Sequence, residues 1–190
     1  MARPKSEDKR EAILSAAMEV FATQGLSAPT SAISKSAGVA EGTLFTYFRT
    51  KDDLVNALYR EIKLQLASAL MSDFARHPDV RAKLRHVWDT FLDWGMANPQ
   101  QGKVLAQLMV SGKLTAETRA VGAAPFAEIE AMGRDAIERG VVREIPIEFL
   151  SALMESIAAT TMEFMARNPS FASRFRTIGF EAYWNAVVAR

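Results

Sequence analysis

An all-α fold is what three features of this 190-residue chain predict. Apolar residues recur every three or four positions over long stretches, and prolines and glycines fall between those stretches. No run alternates apolar and polar residues in the way a half-buried strand does. Hydrophobic residues make up 49% of the chain and charged residues 24%, the balance of an ordinary globular protein. Cysteine is absent, which excludes disulfides and thiolate metal sites. The first residues are charged throughout and no apolar run reaches the ~18 residues of a membrane span. A cytoplasmic protein with no membrane association is expected.

The first helix is predicted over residues 7–24. Ser6 is its candidate N-cap, Glu7 and Asp8 suit the positive end of the helix dipole, and Gly25 is a stop. Ile13, Ala17, Val20 and Phe21 mark the inward face. Thr30, after Pro29, is the expected cap of a short helix whose Ile33 and Ala37 face inward. Gly38 then takes the position where φ > 0 is needed, with Val39 as the buried residue of the turn. Residues 40–47 form another short helix, with Leu44 and Phe48 reaching the same core. A long helix follows from Lys51 to about His77, striped by Leu54, Leu58, Ile62, Leu66, Leu70 and Phe74. Helices are further predicted over 80–98, 100–111, 115–122, 125–139, 146–168 and 170–188, each bounded by proline or glycine. The expected division is a domain over 1–50 and a second over 51–190.

Residues 30–51 carry the chemistry. Two short helices joined by a turn containing glycine make a helix-turn-helix, whose second helix enters the DNA major groove. Gly42 lets the backbone come close, Thr43 offers a hydroxyl and a methyl to base or phosphate, and Thr46 and Tyr47 can donate to phosphate oxygens. Lys51 can meet the phosphate backbone. Residues 1–51 hold seven Lys/Arg against five Asp/Glu, with Arg3, Lys5, Lys9 and Arg10 in a basic N-terminal arm. A plain helical hairpin with solvated polar residues is the competing assignment.

The segment SAGVAEGTLFTYFRTKDDL resembles the signature of the TetR family of one-component transcriptional repressors. The matching residues are Ile33, Ala37, Gly38, Val39, Gly42, Thr43, Leu44, Tyr47, Phe48, Lys51 and Leu54, and the resemblance covers about residues 7–60. It implies a DNA-facing set of Thr30, Ser31, Glu41, Gly42, Thr43, Phe45, Thr46, Tyr47 and Lys51, a double-stranded DNA operator as partner, and a small-molecule effector. Three positions depart from the pattern. Phe45 lacks a phenolic hydroxyl, Ala40 replaces a serine cap, and Glu41 puts an acid where phosphates would lie. Glu41 either points away along the helix or accepts from a cytosine N4.

The last two helices are expected to pair two copies. Small residues let helices approach closely, and the final helix is apolar on more than one face. The family resemblance implies a four-helix homodimer bundle, and the interface residues are taken as Ala158, Thr161, Phe175, Gly179, Ala182, Trp184 and Ala186. Burial of both faces within one protomer is the alternative. Trp88, Phe91, Trp94, Leu105, Leu108, Met109, Phe126, Met154 and Phe164 form an aromatic- and Met-rich set that could line an effector pocket, although each also suits a core. Few charges interrupt these segments, so a largely apolar or aromatic effector is expected.

An enzyme is not expected, and neither is a cofactor or metal. His77 and His86 have no metal-ligand spacing, no glycine-rich phosphate loop occurs, and Asp52-Asp53 suits a helix N-terminus. The rival function is a helical dimeric ligand sensor acting on a protein partner.

Overall fold

The structure is a computed structural model that describes residues 5–189, with side chains from Glu7 onward. Arg3 and the side chains of Lys5 and Ser6 lie outside what it describes, so the proposed basic arm is represented by Lys9 and Arg10. Ten α-helices occur among the described residues: α1 (Lys5–Gln24), α2 (Thr30–Ser36), α3 (Glu41–Tyr47), α4 (Lys51–Met71), α5 (Val80–Ala97), α6 (Pro99–Val110), α7 (Ala116–Ala123), α8 (Ala127–Glu138), α9 (Ile147–Arg167) and α10 (Ala172–Val187). The fold is all-α; the described residues contain no strand, only an isolated antiparallel bridge between Val142 and Val188.

The chain forms two compact units, and they do not follow a division at residue 50. One comprises Met1–Leu64 with Asn98–Ala123; the other comprises Gln65–Ala97 with Ala124–Arg190. The first therefore contains α1 to α3, the beginning of α4, and α6 with α7. Its core is built as the spacing predicts, from Ile13, Ala17 and Phe21 of α1, Ile33 of α2, Leu44 of α3, and Leu54 and Leu58 of α4, all buried. α1 packs on both α2 and α6, and Val104 and Leu108 of α6 are fully buried. Gly25 ends α1 at φ +80° and donates its amide to Phe21 O at 3.0 Å.

Several helix ends differ from the sequence prediction. α4 stops at Met71, because Asp73 takes a left-handed conformation (φ 60°) and Phe74–Arg76 form a 3-10 turn. Phe74 is still buried, so the apolar stripe continued across a break in the backbone. α4 starts on a capping box absent from the prediction. Thr50 Oγ1 accepts the Asp53 amide at 3.0 Å, and Asp53 Oδ2 accepts the Thr50 amide at 3.0 Å. Pro125 lies in a 3-10 turn ahead of α8, and Pro169–Phe171 form another ahead of α10.

The second unit is centred on Trp88, Leu92, Ala136, Leu150, Ala158, Phe180, Tyr183 and Val187. Trp88 is fully buried and its indole N–H donates to Arg176 O at 3.0 Å, which satisfies the polar edge of a large apolar ring. Arg176 fastens α10 to α5. It donates to Asp89 O at 3.1 Å, pairs with Asp93, and its pKa is raised chiefly by the Asp93 hydrogen bond.

Candidate nucleic-acid interface

The turn between α2 and α3 has the geometry of a helix-turn-helix. Gly38 has φ +65°, and Val39 donates its amide to Ser34 O at 3.0 Å, closing the end of α2. Val39 itself is half-buried, so the fixed point of the turn is its backbone. α3 has Leu44 at 0% exposure as its anchor, and Phe48 at 4% just beyond it. These two residues lie four apart on one face, which leaves Glu41, Gly42, Phe45 and Thr46 exposed on the other, with Thr43 and Tyr47 half-buried between.

Thr30 does not cap α2. Pro29 is the N-cap residue and no side-chain cap is made; the Thr30 hydroxyl instead donates to Glu41 Oε1 at 2.7 Å. The carboxylate is thus neither directed away along the helix nor left wholly open. Ser31 is exposed beside Thr30. Ala40 starts α3 without a side-chain cap, so the Glu41 carboxylate in the first turn is the group there that complements the helix dipole. Thr46 donates its hydroxyl to Gly42 O at 3.0 Å, leaving its oxygen as acceptor.

A Cβ added at Gly42 would meet no protein atom within 4 Å, and φ there is not in the left-handed region. Among the described residues nothing demands glycine at this position. Lys51 opens α4 with its ammonium 5.8 Å from the centre of the Phe21 ring. Its pKa is lowered, first by partial desolvation and then by the neighbouring Lys113 charge, with Asp52 opposing. Arg10 lies over the Phe48 ring at 5.7 Å. Arg49 and Lys35 are exposed cations on the same small bundle that sequence reasoning passed over; their only signal is a basic residue at the end of a short helix.

The predicted pocket residues are not gathered in one unit. Leu105, Leu108 and Met109 belong to the first, where Leu108 is core and Met109 is 41% exposed. Trp88, Phe91, Trp94, Phe126, Met154 and Phe164 belong to the second. There Trp88 is core, Phe91 and Met154 pack against the core, and Phe164 is exposed with its ring 5.5 Å from that of Phe175.

The predicted pairing face also divides. Ala158, Thr161 and Gly179 are buried within the protomer, because α9 and α10 pack tightly on each other and on Trp88. A Cβ at Gly179 would lie 2.6 Å from Trp88 Cζ2 and clash with Thr161 Oγ1. Phe175, Trp184 and Ala186 are half-buried against the core. Ala182 is exposed on the same side of α10 as exposed Ile178, and Phe171, in the turn before the helix, is exposed as well. On α9 the exposed row is Phe149, Ala152, Ser156 and Ala159, with Phe164 beyond. Phe149 and Phe171, both exposed, are not in the expected pairing set, because a helix with two apolar faces does not say which one turns inward.

His77 and His86 stack at 4.6 Å between ring centres, and His86 Nε2 lies 3.1 Å from Leu70 O. No group of three or more metal-type ligands occurs among the described residues, and no helix there is long and apolar enough to cross a membrane.

The comparisons with known proteins meet the helix-turn-helix directly. The family model described as bacterial regulatory proteins, tetR family, matches residues 13–58. The fatty acid metabolism regulator protein of Bacillus subtilis (strain 168) is 36% identical over 73 residues, which is 38% of either chain. The match thus spans little more than a third of that relative. A solved structure from Shewanella sp. PV-4, described as a transcription regulator of the same family, is 26% identical with a TM-score of 0.86, over 96% of this chain and 99% of that one. A family member from Marinobacter aquaeolei VT8 shares the fold over 100% of both chains, with a TM-score of 0.87 at 24% identity. FadR of Bacillus subtilis, solved in complex with stearoyl-CoA, shares it over 92% of this chain and 97% of that one at 0.70 and 19% identity. Residues 13–58 thus match the tetR family of bacterial regulatory proteins, and the whole chain shares its fold with solved structures described as members of that family.

Proposed function

We propose that the protein is a cytoplasmic DNA-binding repressor that grips a pseudo-palindromic operator as a homodimer and is released by a small, largely apolar or aromatic effector. The observation that carries this reading is Gly42. An exposed glycine near the start of α3, with open space around its missing side chain, makes sense when an outside surface must approach the backbone closely. Thr43, Phe45, Thr46 and Tyr47 on the same helix, with Lys51, Arg49 and Lys35 around it, have the mixture expected of base and phosphate contacts.

A reader this small needs a twin for useful selectivity against genomic DNA. Phe149, Phe164, Phe171 and Ile178, each 44–58% exposed on α9, on α10 or in the turn between them, supply an apolar face for a second copy. Two-fold symmetry then sets half-sites one helical turn apart, roughly 34–36 Å, or a multiple of that. The effector class rests on the composition of the second unit. Stearoyl-CoA, held by the Bacillus FadR, is a first compound to try.

Selection of random double-stranded DNA by the purified protein tests the reading. A palindromic consensus bound by a dimer is expected. Uniform, salt-sensitive affinity for every DNA would instead favour a sensor that acts on a protein partner.

A further inference from the structure

We infer that Asn56 is a positioning residue for DNA reading, fixing the α6–α7 turn to α4 and so making residues 111–118 part of the reader. This rests on the DNA-binding function proposed above.

Asn56 is 6% exposed within a run of buried α4 residues, Leu54, Val55, Ala57 and Leu58. A buried amide is costly unless its donors and acceptor are all used. Here they are. Asn56 Nδ2 donates to Asp52 O at 2.7 Å and to Lys113 O at 3.1 Å, and Asn56 Oδ1 accepts the Thr115 amide at 3.0 Å. Both partners outside α4 are backbone groups, so the side chain grips the course of the chain between α6 and α7 whatever side chains stand there. A rotated amide would set donor against donor at Thr115, so the pattern also fixes the orientation of Asn56.

Neighbouring contacts share the same side of α4. Asp52 pairs with Lys113 at 2.9 Å, and Arg60 Nη1 donates to the buried Thr118 hydroxyl at 2.9 Å. Tyr59 lies against Gly122, where a Cβ would be 2.5 Å from Tyr59 Cε1. Positions 52, 56, 59 and 60 fall on one helical face, opposite Leu54 and Leu58. α4 thus has an apolar face in the core shared with α1 to α3 and a largely polar one against the α6–α7 turn. Only residues 48–50 separate α3 from α4. Where that polar face docks therefore sets where Lys51 and the end of α3 stand.

The test uses the full-length variant Asn56→Leu, close to isosteric, with Thr118→Val as a second break in the same face. Affinity is measured for the operator selected by the wild type and for unrelated DNA, alongside amide hydrogen exchange at Thr115. Each variant should melt cooperatively and expose Thr115 to faster exchange. Operator affinity should fall on the order of tenfold, the scale of one or two lost hydrogen bonds, while affinity for unrelated DNA falls much less. Unchanged operator affinity in a folded variant whose Thr115 amide has become exposed overturns the role of Asn56 and leaves DNA binding intact. A wild type that distinguishes no DNA overturns both. If Asn56→Leu does not fold, the same criteria apply to Thr118→Val.

Discussion

The Thr30 hydroxyl and Glu41 Oε1 are joined by a 2.7 Å hydrogen bond that ties the first residue of α2 to the first residue of α3. Both side chains face solvent, so the bond is modest in energy, at about 0.5–1.5 kcal/mol. Its consequence for DNA is larger, since it holds a negative charge on the face that would meet phosphates. Glu41→Gln should strengthen binding to all DNA sequences and leave base preference unchanged. A change of preferred base at one operator position, read from selected sequences, would show the carboxylate acting as a base reader instead.

Gly42→Ala should separate folding from function by sign. The added Cβ meets nothing within 4 Å, and alanine gains up to about 1 kcal/mol over glycine in a helix interior. Near the start of α3 the gain is smaller but has the same sign. Thermal stability should hold or rise slightly while operator affinity falls on the order of tenfold or more. If both rise together, the close approach to Gly42 is not made.

Lys51 and Thr43 should fail differently. Lys51→Ala removes a cation at the start of α4 and should weaken binding by a similar factor for specific and unrelated DNA, reducing the salt dependence by about one counterion. Thr43→Ala should alter which base is preferred, with a cost of about 1–3 kcal/mol at one position. Equal, sequence-independent losses from the two would remove Thr43 as a base contact.

The helix-turn-helix could be read almost whole from local signals. Gly25 and Gly38 end helices at positive φ, and Ile33, Leu44 and Leu54 recur at core spacing in segments short enough to have one inward face. What could not be read depends on partners far away in the chain. Asn56 looks like a polar interruption of a stripe until the backbone 57 and 59 residues later is brought to it. The Thr30–Glu41 bond spans 11 residues and replaces a local cap that the sequence favours equally well. The end of α4 was overrun because Phe74 keeps the apolar rhythm, and only the left-handed Asp73 shows the break. On α9 and α10 periodicity gave two apolar faces but not which of them Trp88 fills.

That last distinction predicts opposite outcomes for neighbouring substitutions. Gly179→Ala pushes a methyl into Trp88 and Thr161 and should destabilise the protomer by about 1–3 kcal/mol through overpacking. Ile178, one residue earlier, is 52% exposed on the proposed pairing face. Ile178→Asp should leave secondary structure intact and convert the dimer to monomer in sedimentation. A monomeric wild type, or a dimer that survives Ile178→Asp with unchanged affinity, would move the pairing surface elsewhere.

Alkaline pH should loosen the second unit through Tyr183. This residue is 3% exposed, and burial pushes its phenol from 10.0 up to about 12. The folded state holds the proton more tightly than the unfolded chain, so stability falls wherever the unfolded chain has lost it and the folded protein has not. The contribution is complete below pH 10, declines above it, and is lost as pH passes 12. Melting temperature should therefore drop across that window, and Tyr183→Phe should flatten the drop because phenylalanine has no proton to lose. A wild-type titration in which the Tyr183 phenol ionises near pH 10 would contradict the burial of this hydroxyl.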